Sequence, residues 1–241
     1  MDVIIPEWPA PSNIRAVSTK RAGGVSSGIY ESLNLGAHVG DQTEHVLENR
    51  ARVRSNLNLP SEPIWLDQVH GNRAIQAQNG PTQQADASLT REHGVICCVM
   101  TADCLPILVC SKDGASVSAI HAGWRGILNG VTQNAVKEMD STALIAWLGP
   151  AIGPDVFEVG HDVYASFTHQ SKDFMPAFRQ KSDDRWLANI YMLGRIVLNR
   201  SGIEQIYGGQ WCTFTQKSDF FSFRRDHQTG RMATLIWREK E

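Results

Sequence analysis

The stretch Gly94-Val-Ile-Cys-Cys-Val-Met-Thr-Ala-Asp-Cys-Leu-Pro-Ile-Leu-Val-Cys110 decides the fold. Its two apolar runs, 94–101 and 105–110, are too short for buried helices and show no polar face. Both read as strands buried on both sides. Thr101 and Asp103 break the stretch well below the roughly 20 residues that a membrane span needs. Working outward, residues 64–70 and 116–121 read as further strands. Three segments, WLDQVHG (65–71), MTADCLP (100–106) and AIHAGWRG (119–126), then each close an apolar run with a metal-capable side chain: His70, Cys104 and His121.

Further out, 3–5 and 14–18 read as strands and 21–28 as a glycine-rich loop. A helix is expected from Asp41, whose pairing with Glu44 has the form of a capping box, to near Pro60. Residues 126–139 read as helix and 143–148 as strand. A helix over 184–199 is expected from the spacing of Trp186, Ile190, Leu193 and Val197, with Gly202 as its stop. Strands over 203–207, 220–223 and 232–237 complete the chain. Strands alternating with three or four helices, without repeats or low-complexity linkers, predict one domain over 1–241.

Charge excludes some functions. The 241 residues carry 23 Lys+Arg against 25 Asp+Glu, a net charge of −2, so no basic field suits nucleic acid. The N-terminus MDVIIPEWPAP has neither a basic leader nor a signal-length apolar core, which predicts a cytoplasmic protein without a membrane anchor. Cys97, Cys98, Cys104, Cys110 and Cys212 are odd in number and lack disulfide-framework spacing, so reduced thiols are expected.

One thiolate and two imidazoles suit Zn2+ and leave a fourth position for water or substrate, the layout of a catalytic rather than a structural metal. Copper is disfavoured. The spacing, 34 residues from His70 to Cys104 and 17 to His121, matches no compact metal motif, and the alternative is hydrogen-bonded core histidines. Asp103, beside Cys104, could orient an imidazole or move protons; the alternative is a turn residue. The run from His121 to Gly126 places Arg125 and free N–H groups at the start of a helix, an arrangement suited to phosphate, or simply a glycine-rich turn. Arg21 and Asn34, in polar glycine-containing loops, are further substrate-binding candidates. His38, His45, His93, His161, His169 and His227 read as surface residues, and Cys97, Cys98 and Cys110 as small core side chains.

Taken together, Arg21-Ala-Gly-Gly-Val-Ser26, Ser32-Leu-Asn-Leu-Gly36, Gln68-Val-His-Gly71, Thr101-Ala-Asp-Cys104, His121-Ala-Gly-Trp-Arg-Gly126, Leu148-Gly-Pro-Ala-Ile-Gly153 and Phe223-Arg-Arg-Asp226 resemble the YfiH or laccase-domain family, also called peptidoglycan editing factors. The resemblance spans nearly the whole chain. It implies an α+β fold, two mixed sheets packed as a sandwich between helices in α/β/β/α layers, and zinc held by His70, Cys104 and His121. It also implies one of three activities. These are purine nucleoside phosphorolysis with adenosine deamination, removal of misbuilt peptidoglycan precursors, and polyphenol oxidation.

Oxidation is the weakest, because a multicopper cluster needs many converging imidazoles. The expected function is a zinc-dependent purine nucleoside phosphorylase and adenosine deaminase, with a nucleoside and phosphate as its small-molecule partners and Cys104, His121 and Asp103 as catalytic groups. The alternatives are a cysteine hydrolase of a cell-wall precursor, with Cys104 as nucleophile and His121 as base, and a non-catalytic module that binds a nucleotide-linked ligand.

Overall fold

The computed structural model describes residues 1–141 and 143–240; Thr142 and Glu241, the remaining positions of the expected 1–241 unit, lie outside them. The apolar runs 94–101 and 105–110 form strands Ile96–Thr101 and Leu105–Ser111, every residue buried. They belong to different sheets. Ile96–Thr101 is an edge of a four-stranded sheet, paired to Met232–Arg238, which continues to Ile14–Thr19 and Val3–Ile4. Leu105–Ser111 lies inside a six-stranded sheet, between Val117–Ala122 and Leu144–Leu148. The chain therefore crosses from one sheet to the other at residues 102–104.

Cys97, Val99 and Ile236 of the first sheet pack against Leu108, Cys110, Val117 and Ala119 of the second, and this apolar seam joins the sandwich. The far face of the four-stranded sheet, through Cys98 and Leu235, takes Val53 from helix Thr43–Asn56. The far face of the six-stranded sheet, through Leu105, Ile107 and Ile120, takes Val131 and Ala135 from helix Val131–Met139 and Leu193 and Val197 from helix Ile190–Arg200. The layers are α/β/β/α, as the resemblance implied. Only the six-stranded sheet is mixed. The four-stranded one is antiparallel throughout, and a third, antiparallel sheet of Phe178–Ser182, Arg185–Ala188 and Glu158–Gly160 adds to the two expected.

Several local expectations are corrected. Residues 64–70 form no strand; isolated bridges Ile64↔Cys97 and Asp67↔Gln84 hold them, and His70 takes a left-handed turn at φ 59°. Asp41 does not cap the helix. Its Oδ2 accepts from Ser26 and Asn34, and Gln42 is the N-cap. The helix expected over 126–139 is two helices, Trp124–Leu128 and Val131–Met139, parted by Gly130 at φ 87°.

The helix expected over 184–199 begins only at Ile190, where Asn189 accepts from Met192 N as a cap, and Trp186 belongs to a strand. Residues 220–223 are not a strand, since Phe220 and Phe221 plug the core and Phe223 starts a short helix, Phe223–Asp226. Strands Ala74–Gln76 and Ala87–Thr90 and helix His161–Gln170 carry too little periodicity to have been expected. No helix among the described residues is long and apolar enough to cross a membrane.

Candidate metal centre

Three different backbone devices deliver the three candidate ligands. His121 sits in the six-stranded sheet opposite Pro106 and is 3% exposed. Cys104 ends the crossover between sheets, directly after Asp103, whose φ of 91° turns the chain, and is partly exposed. His70 comes from the turn at 68–71 and is exposed. Their donor atoms lie within 4.8 Å of one another. His70 Nε2 is 3.8 Å from Cys104 Sγ, and the two imidazoles meet edge to face with centroids 4.8 Å apart. Among the described residues this is the single group of three or more such side chains.

Asp86, fully buried just before strand Ala87–Thr90, organises the cluster. Its Oδ1 accepts from His121 Nδ1 at 2.8 Å, which leaves Nε2 of that ring free to coordinate a metal ion. The same carboxylate accepts the backbone N–H groups of Val69, His70 and Gly71 at 3.3, 2.9 and 2.7 Å, and so fixes the His70 turn. Asp86 also takes the His121 N–H on its carbonyl. Burial would raise its pKa, but the hydrogen bond and charge of His121 outweigh that and hold it below the usual carboxylate range.

Sequence reasoning passed over Asp86. Its signal was a lone carboxylate in the apolar run Ala85-Asp86-Ala87-Ser88-Leu89, where an unpaired charge would be costly to bury.

Charge completes the picture. Burial pushes the Cys104 thiol up, yet His121 and His70 more than offset it and bring it down to about 6. Burial pulls His121 down, yet the Cys104 thiolate and Asp86 carry it up to about 9. Without metal, at neutral pH, the pair is thiolate and imidazolium. Gly123 permits this closeness, because a Cβ there would lie 3.0 Å from Cys104 Sγ and 3.1 Å from His70 Cδ2. A soft thiolate, two imidazoles and a carboxylate bracing one ring form a donor set that fits a metal ion.

The cluster lines a cavity of about 340 Å³ whose other walls include His38, Trp124, Arg125, Phe223, Arg224 and Arg231. Such a volume suits a small organic ligand, and its three guanidinium groups favour an anionic one. Arg125 is exposed, with its guanidinium carbon 4.3 Å from the centre of the Trp124 ring. His38, read as an ordinary surface residue, lines this cavity. Burial, and then Arg231, push its pKa below the ordinary histidine value. Arg231 was not singled out, and Phe223 and Arg224 entered only through the motif Phe223–Asp226, with no role given to them. They come from the far end of the chain, and only the fold brings them here.

Of the other expected residues, Asp103 lines the cavity, whereas Arg21 and Asn34 lie away from it. Arg21 lines a separate surface pocket, and its guanidinium donates to the carbonyls of Glu31 and Lys217. Asn34 is fully buried: it donates to Asp41, and its Oδ1 accepts from Gly36 N and Arg231 N, so it braces a cavity residue without reaching the cavity. Asp103 touches no imidazole. Its Oδ1 accepts from Thr213 Oγ1 and its Oδ2 from Arg224 N, both at 2.6 Å, which ties the Cys104 corner to the C-terminal segment. The carboxylate that orients an imidazole is Asp86.

The family model described as "Multi-copper polyphenol oxidoreductase laccase" matches residues 15–239. The purine nucleoside phosphorylase YfiH of Escherichia coli (strain K12) is 48% identical over 239 residues, 98% of each chain. A purine nucleoside phosphorylase of Haemophilus influenzae is 46% identical over 244 residues, covering 99% of this chain and 100% of that one. The crystal structure of Neisseria meningitidis protein NMB0706, of family DUF152, superposes with a TM-score of 0.96 at 44% identity and full coverage of both chains.

Proposed function

The chain belongs to the laccase-like YfiH family, and on that premise we propose that it is a purine nucleoside phosphorylase holding zinc at His70, Cys104 and His121, with adenosine deamination as a second reaction in the same cavity. It works in this reading as one domain, in the cytoplasm, on a nucleoside and phosphate, with neither nucleic acid nor membrane as partner. Five free cysteines suit a reducing compartment. The observation that carries the reading is the Cys/His/His set, braced by buried Asp86, on the wall of a cavity with an arginine rim. The relatives' names supply the reaction.

Zinc is favoured over copper because a multicopper centre requires several sets of imidazoles, whereas the described residues offer one group. When bound, the metal supplies Lewis acidity to a water or a substrate oxygen. The chain's own residues do the rest. Asp86 keeps the His121 proton on Nδ1 and holds the His70 turn. Cys104 contributes a negative charge that offsets the ion's. Arg125, stacked on Trp124, is the candidate for holding phosphate against ribose C1′, and Arg224 and Arg231 add positive potential. Asp103 keeps the Cys104 corner and the Arg224 segment in register, a positioning role.

The test is elemental analysis of protein purified without chelator, followed by assays on inosine with phosphate and on adenosine without it. About one zinc per chain, with phosphate-dependent ribose release and phosphate-independent deamination that both stop on chelation, is expected.

A second reading has its own support, since a thiol with its pKa near 6 beside an imidazolium also describes a nucleophilic cysteine acting on a cell-wall precursor. Turnover that resists chelators and is lost to thiol alkylation would replace the first reading with this one.

A further inference from the structure

Among the described residues Phe223 is the only Phe, Tyr or Trp that is exposed, at 52%, and it lines the metal cavity. Its backbone is held on both sides. Phe220 and Phe221, just before it, are fully buried, and Ser222 caps the helix that Phe223 begins by accepting from Arg225 N. The next N–H, that of Arg224, is taken by Asp103. An aromatic ring on a fixed backbone, left half in water on a cavity wall that also carries Trp124, Phe157, Arg224 and Arg231, gains nothing in folding from its exposure. Its free surface is available to a flat partner.

We propose that Phe223 is the platform on which the planar base of the substrate stacks, setting the preference for a purine. The inference rests on the nucleoside reading above and specifies which chain segment recognises the base. Arg231 lies behind the platform, its guanidinium carbon 6.0 Å from the ring centroid, and is itself anchored by donating to the Thr229 and Gly230 carbonyls and by its N–H to Asn34. Asn34 and Asp103 would thus serve base recognition by fixing the two segments that carry Arg231 and Phe223. The arrangement leaves Arg125, on the Trp124 wall, for the phosphate.

The experiment uses the whole metal-loaded protein with free hypoxanthine as probe, titrated calorimetrically into wild type, Phe223→Ala, Phe223→Leu and Phe223→Trp. Loss of one base–aromatic stack weakens binding about tenfold. That loss is expected for Phe223→Ala and Phe223→Leu, while Phe223→Trp binds within about threefold of wild type, because it restores a π surface. The KM for inosine should follow the same order, with the KM for phosphate, zinc content and melting temperature unchanged. If Phe223→Ala binds hypoxanthine as wild type does, the platform is refuted and the nucleoside reading stands. If wild type binds neither hypoxanthine nor inosine, both fall together.

Discussion

Oδ1 of Asp86 lies 2.8 Å from Nδ1 of His121, and both side chains are shut off from solvent. Because the same carboxylate collects three N–H groups from the His70 turn, one buried charge sets two of the three candidate ligands at once. Asp86→Ala should therefore lower zinc affinity by about 10- to 100-fold, the range for losing an outer-shell carboxylate. Competition with a chromogenic chelator measures it. An unchanged affinity would mean that the strand and turn hold the imidazoles unaided.

Cys104→Ser should lose most of the metal and activity while keeping the melting temperature of metal-free wild type, because the ligand ends a crossover corner and fills no core position. His70→Ala and His121→Ala should lose both reactions together. In metal-free wild type a thiol-alkylating reagent should modify Cys104 in preference to Cys97, Cys98 and Cys110, whose pKa values burial raises to about 12 or beyond. Mass spectrometry of the alkylated peptides reads this directly, and zinc should protect Cys104.

Metal binding should release protons in a pattern set by the coupled pair. Between about pH 6 and 9 the metal-free site holds a Cys104 thiolate and a protonated His121. The ion needs the Nε2 lone pair, so one proton leaves His121 on binding. Below about pH 6 the Cys104 thiol must lose its proton as well, and affinity falls more steeply as pH drops. Titrations at pH 7.5 in buffers of different ionisation enthalpy give the count. Zero protons released there would show that His121 is already neutral.

Arg125→Ala should raise the KM for phosphate by about tenfold or more, the effect of losing one charge-assisted hydrogen bond, and leave hypoxanthine binding alone. Initial rates at varied phosphate and fixed inosine check it. An unaltered phosphate KM would move the anion towards Arg224 or Arg231.

Asp103→Ala should lower stability by about 1–3 kcal/mol, since it strips the acceptor from the Arg224 N–H and the Thr213 hydroxyl in a buried setting. Asp103→Asn keeps one acceptor, can donate to Thr213, and tolerates the left-handed backbone at φ 91°. It should recover most of the loss. Denaturant midpoints of the two variants decide.

Apolar runs with no polar face determined the strands Ile96–Thr101, Leu105–Ser111 and Val117–Ala122, and the three metal-capable residues were legible because each ends or interrupts such a run. Local patterning acts over a few neighbouring residues, and burial on both faces leaves an unmistakable mark on composition. That reach is also its limit. Trp186, Ile190, Leu193 and Val197 keep helical spacing, yet Trp186 is drawn into a strand by antiparallel pairing with Gln180 and Val159, contacts that no helical wheel contains.

Residues 64–70 carry strand-like alternation, yet only isolated bridges form at Ile64 and Asp67, and the Asp86 carboxylate captures the N–H groups of Val69, His70 and Gly71 and fixes a turn there. The tertiary structure alone joined Asp86 to His121, brought Phe223, Arg224 and Arg231 into one cavity with His70, Cys104 and His121, more than a hundred residues earlier in the chain, and turned Asn34 and Arg21 away from it. Such pairings are set by which faces the sandwich buries together, and that is a property of the whole packed core.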